Sequence, residues 1–123
     1  AGLGDSARAS VIARGFAEMG RFAGANGAET ETLQGLSGLG DLVLTCTSEK
    51  SRNFVAGQAL GRGETPDPSK TVEGIATASA IVALADQQGL DMPLTGAVAA
   101  VAEGKLDIRS AIEALLARPV GTE

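Results

Sequence analysis

The sequence predicts an all-α fold, a compact bundle of about six or seven helices. Apolar residues recur at three- and four-residue steps through most of the chain, these stretches are bounded by cap residues and glycines, and no segment makes a convincing sheet. The size agrees, because 123 residues suit one domain with one core, able to bury roughly two thirds of its unfolded surface. Its apolar content is mostly Ala, Leu and Val, with three Phe and no Trp or Tyr. The core must therefore come from small side chains on closely packed helices.

The elements follow in order. Val11, Ile12, Phe16, Met19 and Phe22 share the spacing of one helical face, with Asp5 or Ser6 placed to cap the first turn and Gly27 beyond the end. A short second helix is expected over 30–36. Gly35, Gly38 and Gly40 then allow a tight turn ahead of Asp41-Leu42-Val43-Leu44, a run that suits either a strand or a buried helical turn. Ser48-Glu49-Lys50-Ser51 supplies cap chemistry for a helix carrying Phe54, Val55, Ala59 and Leu60, which Gly61-Arg62-Gly63 ends.

A proline-containing loop, 64–69, comes next. Val72, Ile75, Ile81, Val82 and Ala85 predict a helix to Gln88, closed by Gly89, although Gly74 weakens its first turn. Pro93 opens another, through Val98 and Val101 to Gly104. In the last helix Asp107 is the cap, Ile108, Ile112, Leu115 and Leu116 form one face, and Arg118 and Pro119 mark the end. With no internal repeat and no linker, residues 1–123 read as a single domain.

Several function classes are disfavoured by composition. A net charge of −5 with no block of Lys or Arg argues against a nucleic-acid partner, and aromatic platforms for bases are missing. Without His, Ser-His-Asp chemistry is out and a metal site is not expected. Cys46 stands alone, which excludes an internal disulfide. No apolar run approaches the roughly 20 residues of a membrane helix and nothing at the start reads as a signal peptide, so a cytoplasmic location without membrane insertion is expected. Ala1 in place of Met, directly ahead of a helical pattern, suggests a fragment of a longer chain.

Gly2-Leu3-Gly4-Asp5-Ser6-Ala7 has the form of a dinucleotide fingerprint, but that motif needs a strand before it and a βαβ unit around it, and neither is present. A stronger constellation is Gly38-Leu39-Gly40-Asp41-Leu42-Val43-Leu44-Thr45-Cys46-Thr47 with Ser51-Arg52-Asn53 at short range. Helix N-terminal N–H groups favour an anion, and a guanidinium matches phosphate oxygens bidentately, so Arg52 and Asn53 in a first turn suit a phosphate ester. Asp41 can accept hydrogen bonds from hydroxyls or pair with a lysine, and Thr45 reaches the same pocket if the stretch is helical. Plainer readings stand beside these: Asp41 as a turn residue, Arg52 as a solvated charge, Cys46 as a small buried hydrophobe.

These residues, with Val72-Glu73-Gly74 and Met92-Pro93-Leu94-Thr95, resemble the C-terminal substrate domain of bacterial NAD(P)-dependent glycerol-3-phosphate dehydrogenases almost from end to end. The resemblance implies a fold like the C-terminal domain of 6-phosphogluconate dehydrogenase. It also implies interconversion of sn-glycerol 3-phosphate and glycerone phosphate with NAD or NADP, in support of glycerophospholipid synthesis. Asp41, Thr45, Ser51, Arg52 and Asn53 are then similar to the family's substrate contacts, and Arg52, Thr71 and Glu73 to its cofactor contacts.

The same resemblance puts the proton-transfer lysine upstream of Gly2, so no catalytic residue is expected in this chain, and the chain alone is expected to be inactive. An N-terminal Rossmann domain would complete the enzyme. Ser6 stands where the family commonly has Asn. An exposed apolar patch is expected where that other domain belongs, with homodimer contacts as a further use. Two other readings are the helical domain of a different NAD(P)-dependent hydroxy-acid or phosphate-substrate dehydrogenase and a non-enzymatic helical interaction module.

Overall fold

The computed structural model describes residues 1–27, 35, 40, 42–43, 46–65 and 73–118. Among them five helices follow one another: α1 (Asp5–Ala25), α2 (Arg52–Gly61), α3 (Glu73–Gln88), α4 (Pro93–Ala102) and α5 (Ile108–Leu116). No strand occurs among the described residues. Residues 40, 42–43 and 46–47 are helical, and the Thr47 hydroxyl donates to the Val43 carbonyl at 2.9 Å, which settles the Asp41 to Leu44 alternative in favour of helix for the residues described. Of the helix expected over 30–36 only residue 35 is described, in a bend, and the rest of it and most of the 64–69 loop lie outside the described residues.

Helix α4 is central, packing against α1, α3 and α5, while α2 packs on α3. Its first turn shows why it sits there. Pro93 occupies the first helical position and brings no N–H, and Gly96 N donates to the Met92 carbonyl at 2.9 Å. Leu94 and Thr95 are left with N–H groups that have no partner inside the helix, and Met92 offers no side-chain cap.

Glu18 of α1 supplies what is missing. Its carboxylate accepts from Leu94 N, from Thr95 N at 3.0 Å and from the Thr95 hydroxyl at 2.7 Å. At 2% exposure it is the largest fully buried side chain described. One turn earlier on α1, Arg14 is 5% exposed and donates through Nη2 to the Arg118 carbonyl at 3.0 Å, just past the end of α5. A carboxylate thus meets a helix N-terminus and a guanidinium a helix C-terminus, the arrangement that opposes both dipoles. Gly15, between them, lets α4 approach, since a Cβ there would stand 3.3 Å from Leu94 Cδ2.

These contacts revise the face read from the sequence. Val11 and Met19 are each 37% exposed, and Ile12, Phe16 and Phe22 are half-buried. Glu18 and Gly15 meet the start of α4 and Arg14 the end of α5, because an unsatisfied helix start demands an acceptor more strongly than apolar spacing demands contact. The start of α1 is also revised. Gly4, at φ +91°, is the cap position, with no side-chain cap, and Asp5 lies inside the first turn.

Elsewhere the ends match expectation. Ser51 and Asp107 cap α2 and α5 through their side chains, and Gly27, Gly63, Gly89 and Gly104 take positive φ just beyond α1, α2, α3 and α4. The C-terminal ends of α1 and α3 are tied by a reciprocal amide pair, Gln88 Nε2 to Asn26 Oδ1 at 3.0 Å and Asn26 Nδ2 to Gln88 Oε1 at 3.3 Å. Among the described residues the buried apolar ones are Ala56, Ala78, Ala85, Ala99, Ala111 and Leu115, a core of small side chains as composition implied. Leu116, placed on the buried face of α5 by its spacing, is 50% exposed because that face turns on Ala111 and Leu115.

Replacing Glu18 by Ala leaves two part-buried N–H groups without acceptors and should lower the unfolding free energy by about 3 kcal/mol; chemical denaturation measures it, and a loss under about 1 kcal/mol would contradict the cap. A pH effect follows from Asp107, whose carboxylate accepts from Ser110 N at 2.7 Å and from the Ser110 hydroxyl at 3.0 Å, holding the acid below the usual Asp range. Its contribution is present above the unfolded value, about pH 4, and is lost as pH falls through the lower folded value. Asp107→Asn keeps a cap without the charge, so the melting-temperature advantage of the natural residue over Asn should shrink below about pH 4.

Candidate functional site

Helix α2 begins where the sequence places the phosphate-binding residues. Ser51 leads into it in an extended conformation, and its hydroxyl oxygen accepts from Phe54 N at 3.3 Å. That cap fixes the direction in which the first turn points. Arg52 follows as the first helical residue with its side chain exposed. Asn53 is also exposed, yet its side chain is engaged: Oδ1 accepts from Gly74 N at 3.1 Å. One early N–H of α3, an orphan by helix geometry, is therefore satisfied from α2.

This bond brings two helix starts together, that of α2 with Ser51, Arg52 and Asn53, and that of α3 with Glu73 as its first residue. Gly74 makes the approach possible. A Cβ at that position would stand 2.5 Å from Asn53 Oδ1 and 3.1 Å from Nδ2. The glycine read from the sequence as a weak point of the helix is thus the place where the neighbouring amide docks. Asp41, Thr45 and Thr71 lie outside the described residues, as does the side chain of Glu73, and with them the convergence of Asp41 on Arg52.

Asn53 also borders a cavity of about 470 Å³. The chain start and Leu3, the first turns of α1 at Ala7 and Val11, and Cys46 and Phe54 make its walls largely apolar. Arg8 and Asn53 bring polar groups to it, and the uncapped start of α1 at Gly4 is part of its lining. Leu3 and Val11 keep 54% and 37% of their surface exposed, so apolar surface opens to solvent here. Arg52 lies outside this lining. Sequence reading missed Arg8, which no motif marks; its place one turn from Gly4 was the available signal.

Cys46 is half-buried, and burial pushes its thiol above the ordinary value. It stays protonated at neutral pH and is a poor nucleophile, in keeping with the packing role. Among the described residues no three of His, Cys, Asp and Glu come together as metal ligands, and no helix is long and apolar enough to cross a membrane. At about pH 8 an uncharged disulfide reagent should label Cys46 at least about tenfold more slowly than it labels a free thiol; labelling as fast as glutathione would contradict the burial.

Comparison with known proteins gives the wider setting. The family model described as NAD-dependent glycerol-3-phosphate dehydrogenase C-terminus matches residues 1–113. A glycerol-3-phosphate dehydrogenase [NAD(P)+] of Cereibacter sphaeroides is 59% identical over 123 residues, all of this chain and 40% of the relative. One from Paracoccus denitrificans is 57% identical, again over all of this chain and 39% of its own length. The crystal structure of a glycerol-3-phosphate dehydrogenase from Coxiella burnetii superposes with a TM-score of 0.87 at 43% identity, covering 94% of this chain and 37% of that one. The chain spans about two fifths of the curated relatives it matches.

Proposed function

The chain belongs to the NAD-dependent glycerol-3-phosphate dehydrogenase C-terminus family, and from that premise we propose that it is the substrate-holding domain of such an enzyme. The whole protein would interconvert sn-glycerol 3-phosphate and glycerone phosphate and so serve glycerophospholipid synthesis. A Rossmann domain ahead of Ala1 would complete it, the cytoplasm is the proposed setting, and a homodimer is the proposed assembly.

The observation that carries the reading is the junction of two helix starts. The first turn of α2 presents Arg52 and Asn53, and the Asn53 carbonyl holds the first turn of α3 beside it. Two positive helix ends and a guanidinium in one neighbourhood favour anions, and substrate and dinucleotide both carry phosphates. Arg52 pairs with the substrate phosphate and touches the cofactor, Ser51 and Asn53 hydrogen-bond the substrate, and Asp41 and Thr45 orient its hydroxyls. Thr71, ahead of α3 in the sequence, and Glu73, its first residue, serve the dinucleotide.

NAD or NADP supplies the hydride. This chain's part is binding and alignment: the phosphate, remote from the reacting carbon, is held so that its binding energy offsets the cost of orientation at the carbonyl. Proton transfer belongs to a lysine preceding Ala1 in the complete protein. In the full-length enzyme Arg52→Ala should lower kcat/KM for glycerone phosphate by about 100-fold, the effect of losing a phosphate-paired guanidinium. Unchanged kinetics would remove Arg52 from the site.

A further inference from the structure

Asn53 belongs to α2, but its side-chain oxygen serves α3. Oδ1 accepts from Gly74 N at 3.1 Å, and the absent Cβ of Gly74 is what lets the amide lie so close. A backbone N–H can be accepted only by the oxygen of a carboxamide, so this bond sets which way the amide faces. Nδ2, with two donors, is the end left for a ligand, and Asn53 borders the cavity beside the α2 start.

We infer that Asn53 and Gly74 form a positioning pair that couples the two halves of the site: the Asn53 carbonyl fixes the start of α3, which carries Glu73, against the start of α2, which carries Arg52, so that dinucleotide affinity depends on a residue of the substrate side. The inference rests on the function proposed above. Its physical content is that one hydrogen bond sets two things at once. It locks the relative placement of two anion-favouring helix ends, and it orients the Asn53 donors toward the phosphate-bearing guest. Breaking it frees the α3 start, and the cofactor must then bear the cost of ordering that turn.

The test uses the full-length enzyme and four variants, Asn53→Ala, Gly74→Ala, Asn53→Asp and Arg52→Ala. Cofactor dissociation constants are read from reduced-nicotinamide fluorescence without substrate, and KM and kcat are measured with glycerone phosphate. Asn53→Ala removes the acceptor, and Gly74→Ala displaces it while raising helix propensity, so weaker binding in the latter cannot come from loss of helix. Both should weaken cofactor binding about fivefold, or ~1 kcal/mol, the net worth of one hydrogen bond.

Asn53→Asp keeps an oxygen for Gly74 N. It should restore cofactor affinity to within about twofold while raising KM for glycerone phosphate, because a carboxylate then faces the phosphate. Unchanged cofactor affinity in Asn53→Ala and Gly74→Ala, with Arg52→Ala still impaired, overturns the coupling and leaves the function intact. Unaltered kinetics in Arg52→Ala overturns both, at the level of the site itself.

Discussion

The buried carboxylate of Glu18 is the constraint on which the helical packing depends. A helix opened by proline has no donor at its first position and needs an outside acceptor for the next two. Glu18 meets both Leu94 N and Thr95 N, and adds the Thr95 hydroxyl. Because α4 then touches α1, α3 and α5, fixing its start fixes the frame for those helices. Arg14, four residues before Glu18, ties the region after α5 to the same helix. Among the described residues the buried apolar ones are five alanines and one leucine, and polar anchors define one arrangement among many that such small side chains would permit.

The same device recurs at the candidate site with a smaller group. Asn53 satisfies an early N–H of α3 from the first turn of α2, as Glu18 satisfies α4 from α1. The two caps differ in what surrounds them. Glu18 is enclosed, so its bonds serve stability, whereas Asn53 is exposed beside an open, mostly apolar cavity. Cross-helix capping thus builds the fold at one end of the chemistry and shapes the anion-favouring junction at the other.

Helix limits were legible because they rest on local chemistry. Ser51 and Asp107 as caps, Pro93 as opener and the glycines after α1, α2, α3 and α4 all act within a turn of their own position. What the sequence hid is nonlocal. Arg14 and Glu18 carry the spacing of a solvated charged pair, and only the approach of α4 makes them interior. Gly74 read as a weakness until Asn53 lay against it. At the site, Ser51, Arg52 and Asn53 stand at a helix start as their pattern required, while Asp41, Thr45 and Thr71 fall outside the described residues. Two of the quoted motifs contain structural junctions, Thr95 in the α4 start that Glu18 caps and Gly74 in the α3 start that Asn53 caps.

The most direct test is a structure of the complete protein with glycerol 3-phosphate and a nicotinamide dinucleotide bound together. The expected result is a phosphate within hydrogen-bond distance of Arg52 and Asn53, with Asp41 on the same small molecule and Asn53 Oδ1 still on Gly74 N. A phosphate held away from the first turn of α2, or Asp41 and Arg52 on opposite sides of the molecule with no shared cavity, would contradict it.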